Sequence, residues 1–261
     1  MGLGREDGNT QPTGRVIFVS AGPGAADLIT VRGARALATA DIVLADALAD
    51  PALQDLAPNA RWTYVGKRGF EHSAKQAEIN ALLVQAAREH AVVVRLKGGD
   101  ASIFGRLEEE LQALADAGIA SEIIPGVTAA SAAAALTQRP LTRRGRGRNV
   151  SLTTAMTAEG ELRAALSADT EVFYMAGRQL DTLGPKLITA GWAADTPALV
   201  VSRAGCADAL TSEHLLADLA DAAPLHGGRP AVLIVGTGAL PASNKIAVSP
   251  EQAPLTSQSR T

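Results

Sequence analysis

Residues 16–46 read VIFVSAGPGAADLITVRGARALATADIVLAD, and this stretch contains one complete strand–helix–strand pattern. Its first five residues predict a strand over 16–20, which ends at a turn of two glycines and a proline. Thr30 is a typical N-cap residue, and apolar positions three and four apart predict a helix from there to residue 38. A second apolar run predicts a strand over 42–45, with Asp46 directly after it. A strand, a helix and a strand in this order predict a crossover connection, the unit of an α/β sheet.

The same alternation continues along most of the chain and predicts an α/β fold. Residues 138–149 interrupt it with five arginines, and we interpret them as a linker between two α/β domains at 15–141 and 149–242. The segments 1–14 and 243–261 show no apolar periodicity and are predicted to be flexible tails. The further strands are predicted at 92–96, 121–124, 150–154, 171–175, 198–201 and 231–235, and the further helices at 79–87 (after a capping box of Ser73 and Gln76), 106–117, 128–136, 159–166, 179–190 and 212–219.

The composition excludes several classes of protein. Lys and Arg total 24 and Asp and Glu total 27, and this balance argues against a nucleic-acid coat or a polybasic membrane binder. A single cysteine, Cys206, excludes an internal disulfide and a four-cysteine zinc site. The four histidines do not pair at metal-ligand spacing, so we expect no metal. The longest alanine-rich run is too short to span a bilayer and the N-terminus lacks the apolar core of a signal peptide, so we expect a cytoplasmic protein.

Three glycine-containing segments follow predicted strands, where the ligands of open α/β sheets bind. Residues 22–24, GPG, make a tight turn without the spacing of a dinucleotide fingerprint, so a ligand loop and an ordinary turn both stay open. Residues 98–100, GGD, combine accessible main-chain groups with a carboxylate, which favours a ligand loop over a plain turn. Residues 125–129, PGVTA, open a helix, and on their own we interpret them as a simple N-cap.

Two further features carry chemistry. Asp46, after the second strand, and Lys67, in the sequence VGKR, are candidates for acid–base catalysis, although an aspartate at a strand end is more often a cap or turn residue.

The linker arginines predict an electropositive patch suited to a ligand with several carboxylates or phosphates. A solvated linker and an RNA contact are the alternatives, and no aromatic residues for base stacking are interleaved. The arginines of this patch are Arg139, Arg143, Arg144, Arg146 and Arg148.

Several segments taken together resemble the tetrapyrrole methyltransferases, from about residue 16 to about residue 240. The opening stretch is similar to that family's strand, GPG turn, Leu-Thr helix start and strand that ends in Asp. In order there follow VGKRGFEHSAKQAEINALLVQAA, VVVRLKGGDASIFGR, AGIASEIIPGVTAASAAAA, PLTRR and VFYMAG. VGKR followed by QxxIN, together with RLKGGD, resembles the branch of the family that acts on uroporphyrinogen III.

The resemblance implies two α/β domains with S-adenosylmethionine in the cleft between them, S-adenosylhomocysteine as its product, and a homodimer. It also implies C-methylation of uroporphyrinogen III at C-2 and C-7, giving precorrin-2 by way of precorrin-1. That substrate is a reduced macrocycle with eight carboxylates, so the arginine-rich linker is expected to balance its charge. The product is expected to feed sirohaem, cobalamin or haem d1 synthesis. Neither a nucleic acid nor a membrane is an expected partner.

The resemblance also assigns roles to individual residues. Asp46 matches the proposed proton acceptor and Lys67 the proposed proton donor. Arg106, Glu109, Arg144 and Met175 match positions on the substrate side; Arg106 and Glu109 are counted with the catalytic residues, and Glu109 is an alternative proton acceptor. The positions that match cofactor-contacting motifs are Pro23, Gly98, Gly99, Asp100, Ile103, Thr128, Ala129, Met175, Ala204 and Ala231.

The chain departs from the family pattern in four places. GGDAS replaces the usual GGDPF, and RLEE replaces RGGE, so that Leu107 adds bulk near the substrate side. Arg143 replaces a histidine in PLTRR, and Ala204 stands where a glycine is usual. Two alternatives follow: a methyltransferase that acts on a later corrin precursor, and a non-catalytic relative that binds RNA through its arginines.

Overall fold

The computed structural model describes residues 14–65, 76–155 and 166–242, which form two five-stranded sheets. The strands of the first sheet are β1 (Arg15–Ser20), β2 (Ile42–Ala45), β3 (Arg61–Tyr64), β4 (Val92–Lys97) and β5 (Ser121–Ile124). All its pairs are parallel and its order is β3-β2-β4-β1-β5. The predicted α/β character is confirmed, and β3 is a strand that the sequence pattern did not reveal.

Helices cover both faces of this sheet. They are α1 (Val31–Leu37), α2 (Gln76–Glu89) and α3 (Leu107–Asp116). Ile17 and Val19 of β1 pack into the cluster that includes α1, whereas Val16 and Phe18 pack into the cluster that includes α2 and α3. Central strands buried on both faces are expected when parallel strands are joined by crossover helices.

Two local predictions about helix ends are confirmed. The Thr30 hydroxyl accepts a hydrogen bond from the Gly33 N–H at 3.0 Å and so caps α1. Gly118 follows α3 with a φ of +68°, the left-handed conformation that glycine adopts without strain. The Ser73 half of the predicted capping box before α2 lies outside the described residues.

The second sheet is mixed rather than parallel. Its strands are β6 (Val150–Thr154), β7 (Thr170–Tyr174), β8 (Pro197–Ser202), β9 (Leu210–Leu215) and β10 (Ala231–Gly236). The order is β6-β7-β10-β8-β9, in which only β6 and β7 are parallel. Because β10 runs antiparallel to both neighbours, its amino end lies beside the carboxyl ends of β7 and β8.

The helix predicted over 212–219 is wrong. Residues 210–215 form β9, with side chains alternately half-buried and exposed, and a 3-10 helix follows over Leu216–Ala222. Leu215 ends the strand and Leu216 begins the helical turn, so the apolar residues run on without a break and produce a false helical spacing. The helix predicted over 159–166 lies almost wholly outside the described residues.

Three more helices belong with the second sheet: α4 (Ala129–Leu136), α5 (Leu180–Thr189) and α6 (Ala223–His226). Although α4 follows the first sheet in sequence, Ala130, Ala132 and Ala133 pack in one cluster with Val172 of β7 and Ile234 of β10. Small side chains let the helix lie close to the sheet. The boundaries of the two domains stay a prediction. Within the described part of the chain, no helix is long and apolar enough to cross a membrane.

Two linker arginines are used inside the molecule. Arg139 is buried; it donates to the main-chain oxygen of Ala239 and pairs with Glu213 of β9. Arg143 donates to the main-chain oxygens of Leu240 and Pro241. These two side chains fasten the linker to the segment that follows β10, so they do not contribute to an open basic patch.

A buried histidine connects three elements of the second half. The Nδ1 atom of His226 in α6 lies 2.9 Å from the Ser202 Oγ of β8, and its Nε2 lies 2.9 Å from the Ser212 Oγ of β9. His214 Nε2 lies 2.7 Å from the same Ser212 Oγ. Burial, with smaller contributions from His214 and Arg229, lowers the pKa of His226 below its ordinary value of 6.5.

This lowered pKa predicts a loss of stability in mild acid. The unfolded chain takes up a proton at His226 before the folded chain does, so the free energy of unfolding falls as the pH drops below 6.5, by at most about 1.4 kcal/mol per pH unit. Urea unfolding at several pH values between 7.5 and 5.5 measures this slope. We expect a smaller slope for His226→Asn than for the wild-type protein. Equal slopes for His226→Asn and wild type would contradict the assignment.

Candidate functional site

The loops predicted to bind a ligand meet at one edge of the first sheet. Residues 22–24 follow β1, Asp46 follows β2, residues 98–100 follow β4 and residues 125–128 follow β5. Because the strands are parallel, all four segments lie at the carboxyl edge, where open α/β sheets bind ligands. The main chains of Gly22 and Gly99 bridge each other, with N···O distances of 3.1 and 2.7 Å.

Gly99 leaves the main chain open on one side. Its φ is +68°, and an added Cβ would have no heavy atom within 4 Å. The conformation favours glycine, and the empty space beside it lets a ligand approach the backbone. A ligand loop after β4 is therefore compatible with the local geometry.

Asp100 connects two of the loops. Its Oδ1 accepts from the Ser102 N–H at 2.8 Å, and its Oδ2 accepts from the Gly126 N–H at 2.8 Å. Its carboxylate thus holds the loop after β4 against the loop after β5. Ala101, which stands where the family has a proline, donates its N–H to the Ser20 Oγ at 3.0 Å, a bond that a proline lacks the donor to make.

Three other predicted cofactor positions lie at one edge of the second sheet. Met175 follows β7, Ala204 follows β8, and Ala231 begins β10 opposite Ser202. The antiparallel register of β10 brings the three together although they are far apart in sequence.

The two edges face each other through close contacts. The Ala25 N–H donates to the Gly205 oxygen at 2.8 Å, and a Cβ on Gly24 would lie only 2.4 Å from the Gly205 carbonyl carbon. The Thr128 Oγ1 lies 2.7 Å from the Tyr174 Oη. The ring of Tyr174 also packs against Phe104, with centroids 5.0 Å apart. Glycines at the first contact are required by the approach of the two backbones.

Apolar side chains fill the space behind these contacts. Ile103, Ala129 and Ala204 belong to the cluster that contains Tyr174. Burial raises the pKa of the Tyr174 hydroxyl above its ordinary value of 10, so this group stays protonated at neutral pH. The structure therefore brings predicted cofactor positions from both halves of the chain to one cleft.

Strained backbone marks the same region. Phe104, Arg106, Met175 and Arg203 adopt positive φ values between 52° and 57°, although none is a glycine. Non-glycine residues are uncommon in this conformation, and such residues concentrate at functional sites. Met175 is also 43% exposed, so its side chain is accessible at this edge of the second sheet.

Asp46 lies at the carboxyl edge of the first sheet, directly after β2. Its Oδ1 accepts from Arg95 Nη2 at 2.5 Å, its Oδ2 accepts from the Gly98 N–H at 3.3 Å, and its side chain is 34% exposed. A carboxylate held on one side and open on the other can receive a proton from a bound molecule. Lys67, the predicted proton donor, lies outside the described residues.

Arg106 and Glu109 form an exposed pair at the start of α3. Arg106 Nε and Nη2 donate to the two carboxylate oxygens of Glu109 at 2.7 and 2.8 Å. This pairing lowers the pKa of Glu109 and raises that of Arg106. Arg144 is exposed on a tight turn closed by main-chain hydrogen bonds between Arg143 and Gly147. Its predicted contact with the substrate stays a prediction.

Sequence reasoning missed three buried charges beneath the cleft. Arg95 and Lys97 of β4 and Glu110 of α3 are each at most 3% exposed, and Glu110 lies 3.0 Å from Arg95 Nε and 2.7 Å from Lys97 Nζ. The sequence did contain a signal for them, because β4 carries two cations at alternate positions of an otherwise apolar strand. Buried charges require a partner, so this pattern predicts a buried carboxylate beside the strand.

One cavity lies apart from the cleft, and the placement of the His, Cys, Asp and Glu side chains in the described residues bears on metal binding. A cavity of about 580 Å³ is lined by Arg139, Glu213 and Leu240 at the amino end of β8, the edge opposite Ser202. Apart from Arg139 of the linker, none of the residues predicted to bind a ligand or to act in catalysis lines it. In the described ranges, no group of three or more His, Cys, Asp or Glu is placed to hold a metal ion.

Comparison with known proteins agrees with the geometry. The profile of the tetrapyrrole (corrin/porphyrin) methylases matches residues 15–220. The uroporphyrinogen-III C-methyltransferase of Pseudomonas aeruginosa is 40% identical over 229 residues, which cover 86% of this chain and 94% of that protein. The siroheme synthase of Pseudomonas putida F1 is 41% identical over 233 residues, 87% of this chain but 50% of that protein. The chain thus spans about half the length of the siroheme synthases that it matches.

Solved structures extend the likeness to three dimensions. The uroporphyrin-III C-methyl transferase of Thermus thermophilus, in complex with S-adenosyl homocysteine, is 34% identical with a TM-score of 0.75. The match covers 85% of this chain and 97% of that one. Profile, sequence and structure all lead to the same assignment: the chain belongs to the tetrapyrrole methylase family.

Proposed function

We propose that this protein is a uroporphyrinogen-III C-methyltransferase that uses S-adenosylmethionine and methylates C-2 and C-7 to give precorrin-2. The observation that carries the proposal is the cleft itself, in which glycine loops of a parallel sheet face Met175 and Ala204 across the Thr128–Tyr174 contact. Family membership and a relative of that activity over nearly its full length support the same reaction. The siroheme synthases are about twice as long as the segment that matches this chain, so the proposal covers the methylation step alone.

The residues of the cleft fit S-adenosylmethionine. When bound, it supplies an electrophilic methyl group. The main chain at Gly99 is open to a ligand, and Ile103 and Ala129 offer partly buried apolar surface. The positions proposed to hold it are Pro23, Gly98, Gly99, Asp100, Ile103, Thr128, Ala129, Met175, Ala204 and Ala231.

The substrate is proposed to bind on the side of α3. Arg106 and Arg144 are exposed cations that can pair with the carboxylates of the substrate. A substrate carboxylate can replace Glu109 as the acceptor of the two hydrogen bonds that the Arg106 guanidinium donates. Leu107 stands directly after Arg106 and is only partly buried, so it limits the room on this side. The main task of these residues is to hold the reacting carbon in place.

Methylation of a ring carbon must be followed by loss of a proton. We assign the acceptor role to Asp46, because Arg95 and Gly98 each hold one of its oxygens in place while the carboxylate stays partly exposed. Glu109 is a weaker candidate, since both of its oxygens accept from Arg106, which lowers its pKa. The proposed donor role of Lys67 rests on the resemblance alone.

The function is tested by anaerobic incubation with S-adenosylmethionine and enzymatically generated uroporphyrinogen III, followed by absorbance and mass. We expect a gain of two methyl groups, and fragmentation or NMR locates them. If S-adenosylhomocysteine binds but no methyl group is transferred, the proposed substrate is wrong and a later corrin precursor becomes the candidate. RNA binding that weakens steeply with salt, without methyl transfer, would support the non-catalytic alternative. The inward contacts of Arg139 and Arg143 count against that alternative.

The assignment of Asp46 predicts the behaviour of Asp46→Asn. Loss of a proton acceptor lowers kcat by about 100-fold or more, whereas the dissociation constant for S-adenosylhomocysteine changes by less than about twofold. Steady-state methylation and calorimetric titration measure the two quantities. The matched control is Asp181→Asn on the exposed start of α5, which should behave as wild type. Loss of cofactor binding in Asp46→Asn would instead indicate a structural role.

The assignment of Arg106 predicts a selective loss of substrate affinity. A charge-assisted contact contributes about 1.5–3 kcal/mol, so Arg106→Ala should raise KM for uroporphyrinogen III about tenfold or more. The affinity for S-adenosylhomocysteine should stay unchanged. Arg32→Ala, at an exposed position of α1, is the matched control. An equal loss of both affinities in Arg106→Ala would exclude the substrate role.

We further propose that the protein works as a homodimer, as the family resemblance implies. Light scattering coupled to size-exclusion chromatography measures the mass in solution, and a monomeric mass at assay concentration would reject the proposal.

A further inference from the structure

Four charged side chains form a chain of contacts beneath the cleft. Lys97 Nζ donates to Glu110 Oε2 at 2.7 Å, Arg95 Nε donates to Glu110 Oε1 at 3.0 Å, and Arg95 Nη2 donates to Asp46 Oδ1 at 2.5 Å. Two cations and two anions balance one another. Only Asp46 reaches the surface, because the side chains of the other three are at most 3% exposed.

Arg95 cannot easily change its orientation. Besides its two carboxylate partners, its Nη1 donates to the main-chain oxygens of Leu44 at 3.1 Å and Leu96 at 3.2 Å. These oxygens belong to β2 and β4, the two neighbouring strands whose carboxyl ends carry Asp46 and Gly98. The guanidinium is therefore fixed to the sheet at the point where the cleft begins.

The three buried residues differ in their relation to the cleft. Arg95 contacts Asp46 directly, whereas Lys97 Nζ donates to Glu110, and the Glu110 carboxylate accepts from Lys97, Arg95 and Gln76. Glu110 compensates the charges of both cations. Its loss without the loss of a cation would leave a buried charge unpaired, which is strongly destabilising.

We propose that Arg95 is a positioning residue of the methylation reaction, which fixes the Asp46 carboxylate so that its exposed part is available to the bound tetrapyrrole. The inference rests on the proposed role of Asp46 as proton acceptor. Lys97 and Glu110 are assigned to charge compensation and not to the reaction. The planar fork of Arg95 suits this task, since a lysine cannot reach Asp46 and two main-chain oxygens at once.

A matched pair of double variants tests the proposal. Arg95→Met with Glu110→Gln and Lys97→Met with Glu110→Gln each remove one buried cation and one buried anion, so both keep the charge balance. Only the second keeps the contact between Arg95 and Asp46, and the amide oxygen introduced by Glu110→Gln can still accept from Arg95 Nε. We expect the second pair to retain kcat within about threefold of wild type. We expect the first pair to lose about as much kcat as Asp46→Asn, about 100-fold, with unchanged S-adenosylhomocysteine affinity.

A cycle with Asp46→Asn shows whether Arg95 acts through Asp46. Adding Arg95→Met alone to Asp46→Asn leaves Lys97 paired with Glu110, so the buried charges stay balanced. It should lower kcat by less than about twofold further, because the residue that Arg95 positions is already gone. Thermal melting and cofactor titration confirm that each variant is folded. If the first pair does not fold, Arg95→Lys replaces it, with the same expected drop in kcat.

The outcomes separate the inference from the proposed function. Equal kcat losses in the two double variants, or full additivity with Asp46→Asn, would overturn the positioning role. A wild-type kcat in the Arg95 variant beside an inactive Asp46→Asn would overturn it too, while leaving the proton-acceptor role intact. A wild-type kcat in Asp46→Asn itself would remove the acceptor role and the inference that rests on it. Absence of methylation by the wild-type protein would reject the proposed substrate.

Discussion

The parallel pairing of β1 with β4 is the constraint on which the candidate site depends. In this register Ser20, the last residue of β1, lies opposite Lys97, the last residue of β4. The loops that follow the two strands therefore begin side by side, and Gly22 can bridge to Gly99. The same register turns Arg95 and Lys97 towards Glu110 on α3. A slip by one residue would reverse the faces of the strand and bury both cations away from their anion. The loop geometry and the buried ion pairs therefore select the same pairing.

The second sheet completes the cleft mainly through Tyr174. Its ring packs with Phe104, its hydroxyl reaches Thr128, and the residue after it, Met175, turns outward with a positive φ. Tyr174 thus joins the two halves of the chain directly beside the exposed Met175. The contact of Ala25 with Gly205 holds the other end of the junction through main-chain atoms alone.

Much of this arrangement could be predicted from the sequence, and the failures have physical causes. Strands with uninterrupted apolar residues were found because a parallel sheet buries both faces, and Thr30 and Gly118 identified helix ends by their own chemistry. β9 was missed because an alternating edge strand runs straight into a 3-10 turn and imitates a helix. Arg95 was missed because its role depends on partners 15 and 49 residues away, which only the register brings close. The loop residues were found through the family resemblance, since no single glycine motif identifies them.

The placement of α4 has a consequence for how the two halves can exist apart. This helix is encoded with the first half but covers Val172, Leu199, Val201 and Ile234 of the second sheet. A fragment beginning after the linker would therefore expose an apolar sheet face to water, and a fragment ending before it would carry an alanine-rich helix without a surface to pack on. The two halves are thus joined by the packing of α4 on the second sheet as well as by the linker itself.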